Sequence, residues 1–336
     1  MWVLVTGGAG FIGTHTCIEL LENGYNVIVI DNLSNSSKIS LDRVRKITGN
    51  SIEFFHDDVR DKDALNKIFT NYDVGAVIHF AGLKAVGESV AKPLEYYDNN
   101  IGGTINLCQV MDAFNVKNIV FSSSATVYGE PDVVPIKENF PLAVTNPYGR
   151  SKLIIEEILH DLHVSDKDWN IALLRYFNPI GAHESGLFGE DPMGTPNNIM
   201  PYITQVGIGI LDKLKIFGND YDTIDGTGMR DYIHVVDLAK GHVAAIKAMG
   251  SFDDIITVNL GTGSGYTVLE LVNAFEVTTG IKIPYEFVER RPGDIARCYA
   301  DVSLAKELLG WASEKTLNDM CRDSWNWQSK NPNGYE

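Results

Sequence analysis

The sequence predicts an α/β fold: a doubly wound parallel sheet followed by a smaller, loop-rich α/β domain. Three observations carry that expectation. The chain opens on an apolar run, Trp2–Thr6, that breaks into Gly7-Gly8-Ala9-Gly10-Phe11-Ile12-Gly13 and then into a helical pattern at Thr16, Cys17, Leu20 and Leu21. Apolar strand-like runs then alternate with helical stretches as far as Phe177. Beyond Asn178-Pro179 the alternation stops, and the stretch from Gly181 to about Phe217 is rich in Gly, Pro and Asn.

The first unit reads as a strand, a tight turn and a helix N-terminus, which is a cradle for a diphosphate. Glycines at 7, 10 and 13 let the backbone approach a ligand closely, and the free N–H groups and dipole of the helix start favour negative charge. The spacing Gly-x-x-Gly-x-x-Gly is wider by one than the Gly-x-Gly-x-x-Gly dinucleotide fingerprint. A second apolar run, Val27–Ile30, ends in Asp31, where an acidic residue can accept hydrogen bonds from ribose hydroxyls. As a turn or cap residue Asp31 would need no ligand, but together with the glycines it makes the sheet Rossmann-type.

A polar loop over residues 32–37 follows, then a helix to about Thr48, a strand Ile52–Phe55 ending in Asp57-Asp58-Val59, and a helix near Lys62–Phe69. The strand Ala76–Phe80 breaks at Ala81-Gly82, a longer helix spans about Pro93–Phe114, and the strand Asn118–Phe121 runs into Ser122-Ser123-Ser124. Strands this apolar are covered on both faces, and their ligands sit at their carboxyl ends, where these polar residues lie. Asn146-Pro147 opens a further helix, with proline at its start, and the strand Ile171–Phe177 closes the series. We place the domain boundary at 178, giving residues 1–178 for the cofactor and 179–336 for the substrate. Tyr232–Val236 and Ile256–Leu260 are candidates for returning to the first sheet.

With 336 residues, 44% of them hydrophobic and 21% charged, the chain can bury a large core. A formal charge of −16 argues against a nucleic-acid or anionic-membrane surface, so a phosphate-bearing ligand must be met by local donors. No apolar run reaches the roughly 20 residues of a membrane helix, and Trp2 already begins a strand, so a cytoplasmic protein is expected. Cys17, Cys108, Cys298 and Cys321 stand far apart, without disulfide or zinc spacing, and read as reduced thiols with no metal site.

Tyr148 and Lys152 are four apart near the start of one helix and share a face. A nicotinamide cofactor brings hydride chemistry, and the protein must add an acid/base at the hydroxyl being oxidised. A phenol ordinarily titrates near about pH 10, so roughly 4 kcal/mol must favour the phenolate for it to act at neutral pH. The Lys152 ammonium and the positive charge of oxidised nicotinamide are expected to supply it. Ser124, at the end of its strand, can hydrogen-bond the same substrate oxygen. Tyr-x-x-x-Lys alone fits any amphipathic helix face; the glycine cradle and strand-end serine give it meaning.

These motifs resemble the extended short-chain dehydrogenase/reductase family and, within it, the UDP-glucose/UDP-galactose 4-epimerases along nearly the whole chain. The matches are residues 6–13, His79–Ser89, Tyr96–Asn100, Ser122–Gly129, Tyr148–Lys152, Leu174–Pro179, Pro196–Asn198, Ile216–Tyr221 and Arg230–His234. The resemblance implies tightly held NAD contacted by Phe11, Ile12, Asp31, Asn32, Asn35, Asp58, Val59, Phe80, Ala81, Lys84, Asn99, Ser122, Tyr148, Lys152 and Phe177. It further implies a homodimer and a UDP-sugar held by Lys84, Ser124, Tyr148, Asn178, Asn198, Phe217, Arg230, Arg291 and Asp294. Phe11 stands where these epimerases usually carry Tyr, which removes a hydroxyl and leaves the backbone contact. Arg230 and Arg291, each read as lying in a glycine-rich loop of an acidic chain, suit a diphosphate fork on chemical grounds alone; a surface ion pair is the alternative.

Two other functions compete. Nucleotide-sugar dehydratases and decarboxylases on this scaffold carry an acidic residue just before Val-Tyr-Gly, where this chain has Ala125-Thr126. A cofactor-binding sensor could lose the catalytic side chains, whereas Ser124, Tyr148 and Lys152 are all present. Within Arg290–Tyr299, the spacing from Asp294 puts Cys298 where the family has a wall residue beside the sugar 2-position. Tyrosine there restricts the family to unacetylated sugars, so a cysteine is expected to admit UDP-N-acetylglucosamine and UDP-N-acetylgalactosamine as well. Read without the family, Cys298 is a small buried thiol, and a one-residue slip would put Tyr299 in its place.

Overall fold

The computed structural model describes residues 1–194, 196–291 and 293–336. Pro292, inside the Arg290–Tyr299 motif, is outside the described residues. The elements in order are β1 (Trp2–Thr6), α1 (Phe11–Glu22), β2 (Asn26–Ile30), α2 (Lys38–Thr48), β3 (Glu53–Phe55), α3 (Lys62–Asn71), β4 (Val74–His79), α4 (Val86–Ala91), α5 (Pro93–Tyr96), α6 (Gly103–Ala113) and β5 (Asn118–Ser124). Next come α7 (Pro147–Ser165), β6 (Asn170–Tyr176), β7 (Asn178–Ile180), α8 (Ile199–Gly207), β8 (Leu214–Phe217), β9 (Met229–Arg230), β10 (Tyr232–His234), α9 (Val235–Ala248) and β11 (Ile256–Leu260). β12 (Tyr266–Thr267), α10 (Val268–Thr279), β13 (Tyr285–Val288), β14 (Arg297–Cys298), α11 (Ser303–Leu309) and α12 (Leu317–Lys330) complete the chain.

Seven strands form one parallel sheet in the order β11-β6-β5-β4-β1-β2-β3. Successive side chains on a strand point to opposite faces, so each central strand feeds two cores. Val3, Val5, Val27, Val29, Ile78, Val120 and Leu174 pack under α1 and α9. Leu4, Ile28, Ile30, Val77, Ile119 and Phe121 pack under α3, α6 and α7. This two-sided burial is why the strands read as unbroken apolar runs. Strand order reverses beside β1, which pairs with β2 on one side and β4 on the other, and such a switch point opens a crevice at the strands' carboxyl ends.

Of the two late runs, Ile256–Leu260 returns to the main sheet as its edge beside β6. Tyr232–His234 does not: it pairs with Asn178–Ile180 in a separate two-stranded ribbon, and α9 begins at Val235. The single helix expected over 93–114 is interrupted. Tyr97–Gly102 widens into a π-turn between α5 and α6, and the short α4 precedes it. Beyond residue 178, small sheets and helices enclose a separate core that includes Ile203, Leu214, Ile216, Leu271 and Phe275. No helix among the described residues is long and apolar enough to cross a membrane.

Candidate active site

A cleft of about 670 Å³ opens where the strand order reverses. On one side it is lined by Gly7, Gly10, Phe11, Ile12 and Gly13, from the turn and the start of α1. The turn needs its glycines. Gly7 has φ +69°, and a Cβ there would stand 2.8 Å from the Ala81 nitrogen; one on Gly13 would stand 2.5 Å from the Gly7 carbonyl oxygen. Gly10 caps α1 without a side chain, so its first N–H groups face the cleft without a side-chain cap.

Asp31 is buried at the rim. Its Oδ2 accepts from the Ala9 N–H at 3.0 Å, and its Oδ1 accepts from the Leu33 N–H at 2.9 Å and the Ser36 hydroxyl at 2.8 Å. The carboxylate thus ties the glycine turn to the loop after β2. Asp58 accepts from the Asn32 amide at 2.8 Å and is forked by Arg60, which holds its carboxyl down at about 2. Val59 lines the cleft beside it, and Asn35 Oδ1 accepts from the Met193 N–H at 3.2 Å. Across from them stand Phe80, Ala81, Lys84 and Asn99. Asn99 lies in the π-turn, whose next residue, Asn100, pins the 81–85 loop. It accepts from the Leu83 N–H at 2.8 Å and donates to the Leu83 carbonyl at 3.1 Å and to Ser151 Oγ at 2.9 Å. A glycine turn with a bare helix start, an acidic rim and a polar far wall fits the diphosphate, ribose and amide groups of a dinucleotide.

Tyr148 and Lys152 form the cleft's inner end, in the first turns of α7. Asn146 caps that helix by accepting from the Gly149 N–H at 2.9 Å. Lys152 is buried and donates to the Ser122 carbonyl at 2.8 Å; its Nζ stands 6.0 Å from the centre of the Tyr148 ring. Burial pushes the Tyr148 phenol well above its ordinary range, and the neighbouring Ser124 hydroxyl, which favours the phenolate, offsets this only in part. Burial also brings Lys152 down to about 8. The positive charge of oxidised nicotinamide, expected beside that of Lys152, would act against this burial. Ser124 ends β5, and its Oγ accepts from the Thr126 N–H and hydroxyl at 3.2 and 3.0 Å. The buried Ser122 Oγ has no partner among the described residues.

Of the residues expected to hold substrate, Lys84 and Tyr148 line the glycine-turn cleft, whereas Asn178, Asn198, Phe217, Arg230, Arg291 and Asp294 are not among its lining residues. Asn178 opens β7 and donates its N–H to the Asp231 carbonyl at 3.0 Å. Arg230 lies on β9 rather than in a glycine-rich loop, with Nη1 donating to the Met229 and Ile295 carbonyls at 2.8 and 2.9 Å. Asp294 lies between two arginines, 2.9 Å from Arg291 Nε and 3.8 Å from Arg230 Nη2, and the Arg291 guanidinium stands 4.8 Å over the Phe217 ring. Cys298 is opposite Arg230 in the β9–β14 register and packs against a small core of Val127, Tyr128, Ile136, Phe177 and Ala300. Tyr299 instead crowds Gly265, so the two neighbours face different ways. Burial pushes the Cys298 thiol up to about 11, which keeps it neutral. Asn198 is joined to Lys84 through Glu190, whose Oε1 meets both side chains; Glu190, Asn100 and Ser36 carry no motif that marks them in the sequence, apart from the place of Asn100 in the Tyr96–Asn100 match.

Residues 4–324 match the family model described as GDP-mannose 4,6 dehydratase. The chain is 59% identical over 336 residues to the UDP-glucose 4-epimerase of Bacillus subtilis, covering 100% of this chain and 99% of that one. It is 57% identical over 340 residues to the human UDP-glucose 4-epimerase, covering 99% and 98%. The structure superposes with TM-score 0.95 on the UDP-glucose 4-epimerase of Bifidobacterium longum in complex with NAD+ and UDP, at 58% identity, covering 99% of this chain and 100% of that one.

Proposed function

The chain belongs to the UDP-glucose 4-epimerase family, and from that premise we propose that it interconverts UDP-glucose and UDP-galactose with NAD in the glycine-turn cleft. The observation that carries this reading is the pairing of Tyr148 and Lys152 in that cleft, with the Ser124 hydroxyl beside the Tyr148 phenol. NAD, held by the glycine turn, Asp31 and the Tyr148–Lys152 end of the cleft, would supply reversible hydride acceptance at the sugar C4, with return to the opposite face. Tyr148 removes the proton of the 4-hydroxyl and gives it back when the hydride returns, so there is no net redox change. Ser124 hydrogen-bonds the same oxygen. Lys152, held by the Ser122 carbonyl, orients the phenol's surroundings and contributes charge. Between the two half-reactions the 4-ketose turns over within the site.

Dehydration would need an acid where Ala125 and Thr126 stand, and the Thr126 hydroxyl is engaged with Ser124. We further assign residues 1–178 to the cofactor and 179–336 to the UDP-sugar, with β11 returned to the first sheet. Phe217, Arg230, Arg291 and Asp294 then meet the nucleotide end, and Cys298 supports activity on the N-acetylated pair. Exposed Val86, Val90 and Leu94 on α4 and α5 support a homodimer through that face. The acidic charge supports a protein without nucleic-acid or anionic-membrane partners, and we propose that it is cytoplasmic. Purified protein is expected to convert UDP-galactose to UDP-glucose without added NAD and to release NAD on denaturation. No turnover together with no released nicotinamide would refute the reading.

A further inference from the structure

Glu190 has no part in the chemistry above, yet it stands between two residues expected at the ligand. Its side chain is 9% exposed. Oε1 accepts from Asn198 Nδ2 at 2.7 Å and lies 3.4 Å from Lys84 Nζ, while Oε2 is buried without a partner among the described residues. The backbone beneath it is fixed. The Glu190 carbonyl accepts from the Trp327 indole N–H at 3.3 Å, Asp191 accepts from the Tyr335 N–H at 3.0 Å, and a Cβ on Gly189 would stand 2.6 Å from the Trp327 ring.

Asn198 is the N-cap residue of α8, where an asparagine side chain ordinarily accepts from the second or third helical N–H. It makes no capping bond. Its amide is given to Glu190 instead, and a carboxylate, which only accepts, decides which end of the carboxamide it meets. Nδ2 is turned to Glu190. Oδ1 is left as an acceptor without a partner among the described residues. Forgoing a cap to hold an acceptor ready makes physical sense where a ligand brings the donor.

We propose that Glu190 is a positioning residue for the UDP-sugar: it orients the Asn198 carboxamide so that Oδ1 accepts from a hydroxyl or N–H of the ligand, and it holds the Lys84 ammonium beside it. This rests on the epimerase reading and on the placement of Asn198 at the sugar nucleotide.

Glu190→Gln keeps the volume but presents either end of an amide to Asn198, so the fixed polarity is lost. In the NAD-loaded protein the variant is expected to raise KM for UDP-galactose about tenfold and leave kcat within about threefold, with UDP-galactose binding by calorimetry weakened to match. Asn198→Ala is expected to raise KM by itself, and in the double variant Glu190→Gln adds clearly less than it does alone, the remainder being its hold on Lys84. Asn198→Asp sets a second carboxylate against Glu190 and is expected to bind at least about tenfold more weakly than Asn198→Ala. The Asp–Ala comparison also decides the matter if Glu190→Gln fails to fold. An unchanged KM in Glu190→Gln, additive losses, or equal binding by the Asp and Ala variants overturns the role of Glu190. Normal KM in Asn198→Ala overturns the placement of Asn198 instead, and wild-type protein inactive on UDP-galactose overturns the epimerase reading itself.

Discussion

Lys152 stands 6.0 Å from the centre of the Tyr148 ring, yet gives its hydrogen bond to the Ser122 carbonyl, at 2.8 Å. The lysine is held as a fixed charge at a distance, and burial raises the phenol it faces. Tyr148 is therefore a weak acid until a second positive charge arrives. Tyr148→Phe is expected to keep bound cofactor and lose at least about a hundredfold in kcat. Near-normal turnover in that variant would remove Tyr148 as the essential base.

The same burial has a cost that depends on pH. Lys152 titrates at about 8 in the fold, against about 10.5 when unfolded. Below pH 8 the fold holds an ammonium it disfavours, at a cost of roughly 3 kcal/mol; the cost shrinks between pH 8 and 10.5 and is gone above. Lys152→Met is expected to abolish turnover and, in protein stripped of cofactor, to gain stability over wild type most at pH 7 and progressively less toward pH 10. Urea midpoints at the two pH values test this, and a difference independent of pH would refute it.

Asp31 is expected to make the extracted cofactor NAD rather than NADP, because a carboxylate repels a 2′-phosphate and no arginine stands in residues 32–35. It also accepts from the Ala9 N–H, so Asp31→Asn would set two donors face to face across the glycine turn. That variant is expected to purify with less than half of the wild-type cofactor content. Full occupancy would show that Asp31 does not shape the turn.

Cys298 packs against the small core that holds Val127 and Phe177, and Tyr299 stands against Gly265, so the substrate-wall reading rests on Cys298 rather than on its neighbour. Cys298→Tyr is expected to suppress conversion of UDP-N-acetylglucosamine at least about tenfold and leave UDP-galactose turnover within about threefold. Equal losses on both substrates, or wild-type protein inactive on the N-acetyl pair, would defeat the volume argument.

The central sheet was legible because strands buried on both faces must be apolar throughout: Trp2–Thr6 matches its strand and Val27–Ile30 lies inside Asn26–Ile30. The glycine turn was legible for a similar reason, since other side chains do not fit there. The π-turn at Tyr97–Gly102 was not, because it leaves helical composition intact and changes only the hydrogen-bond step. Glu190 was invisible because its partners, Lys84 and Asn198, come from distant parts of the chain. Arg230 read as a loop residue because a two-residue strand has no period to detect.

The late return of Ile256–Leu260 to the edge of the main sheet bears on how the protein is made. Until residue 260 has left the ribosome, the open side of β6 presents unpaired N–H and C=O groups and an uncovered apolar edge, a template for any other extended strand. Synthesis of roughly 80 residues separates the sixth strand from the seventh, which at about 5–20 residues per second leaves that edge open for several seconds. Fragments that stop short of β11 would inherit the same edge permanently and would be expected to self-associate rather than bind cofactor as monomers.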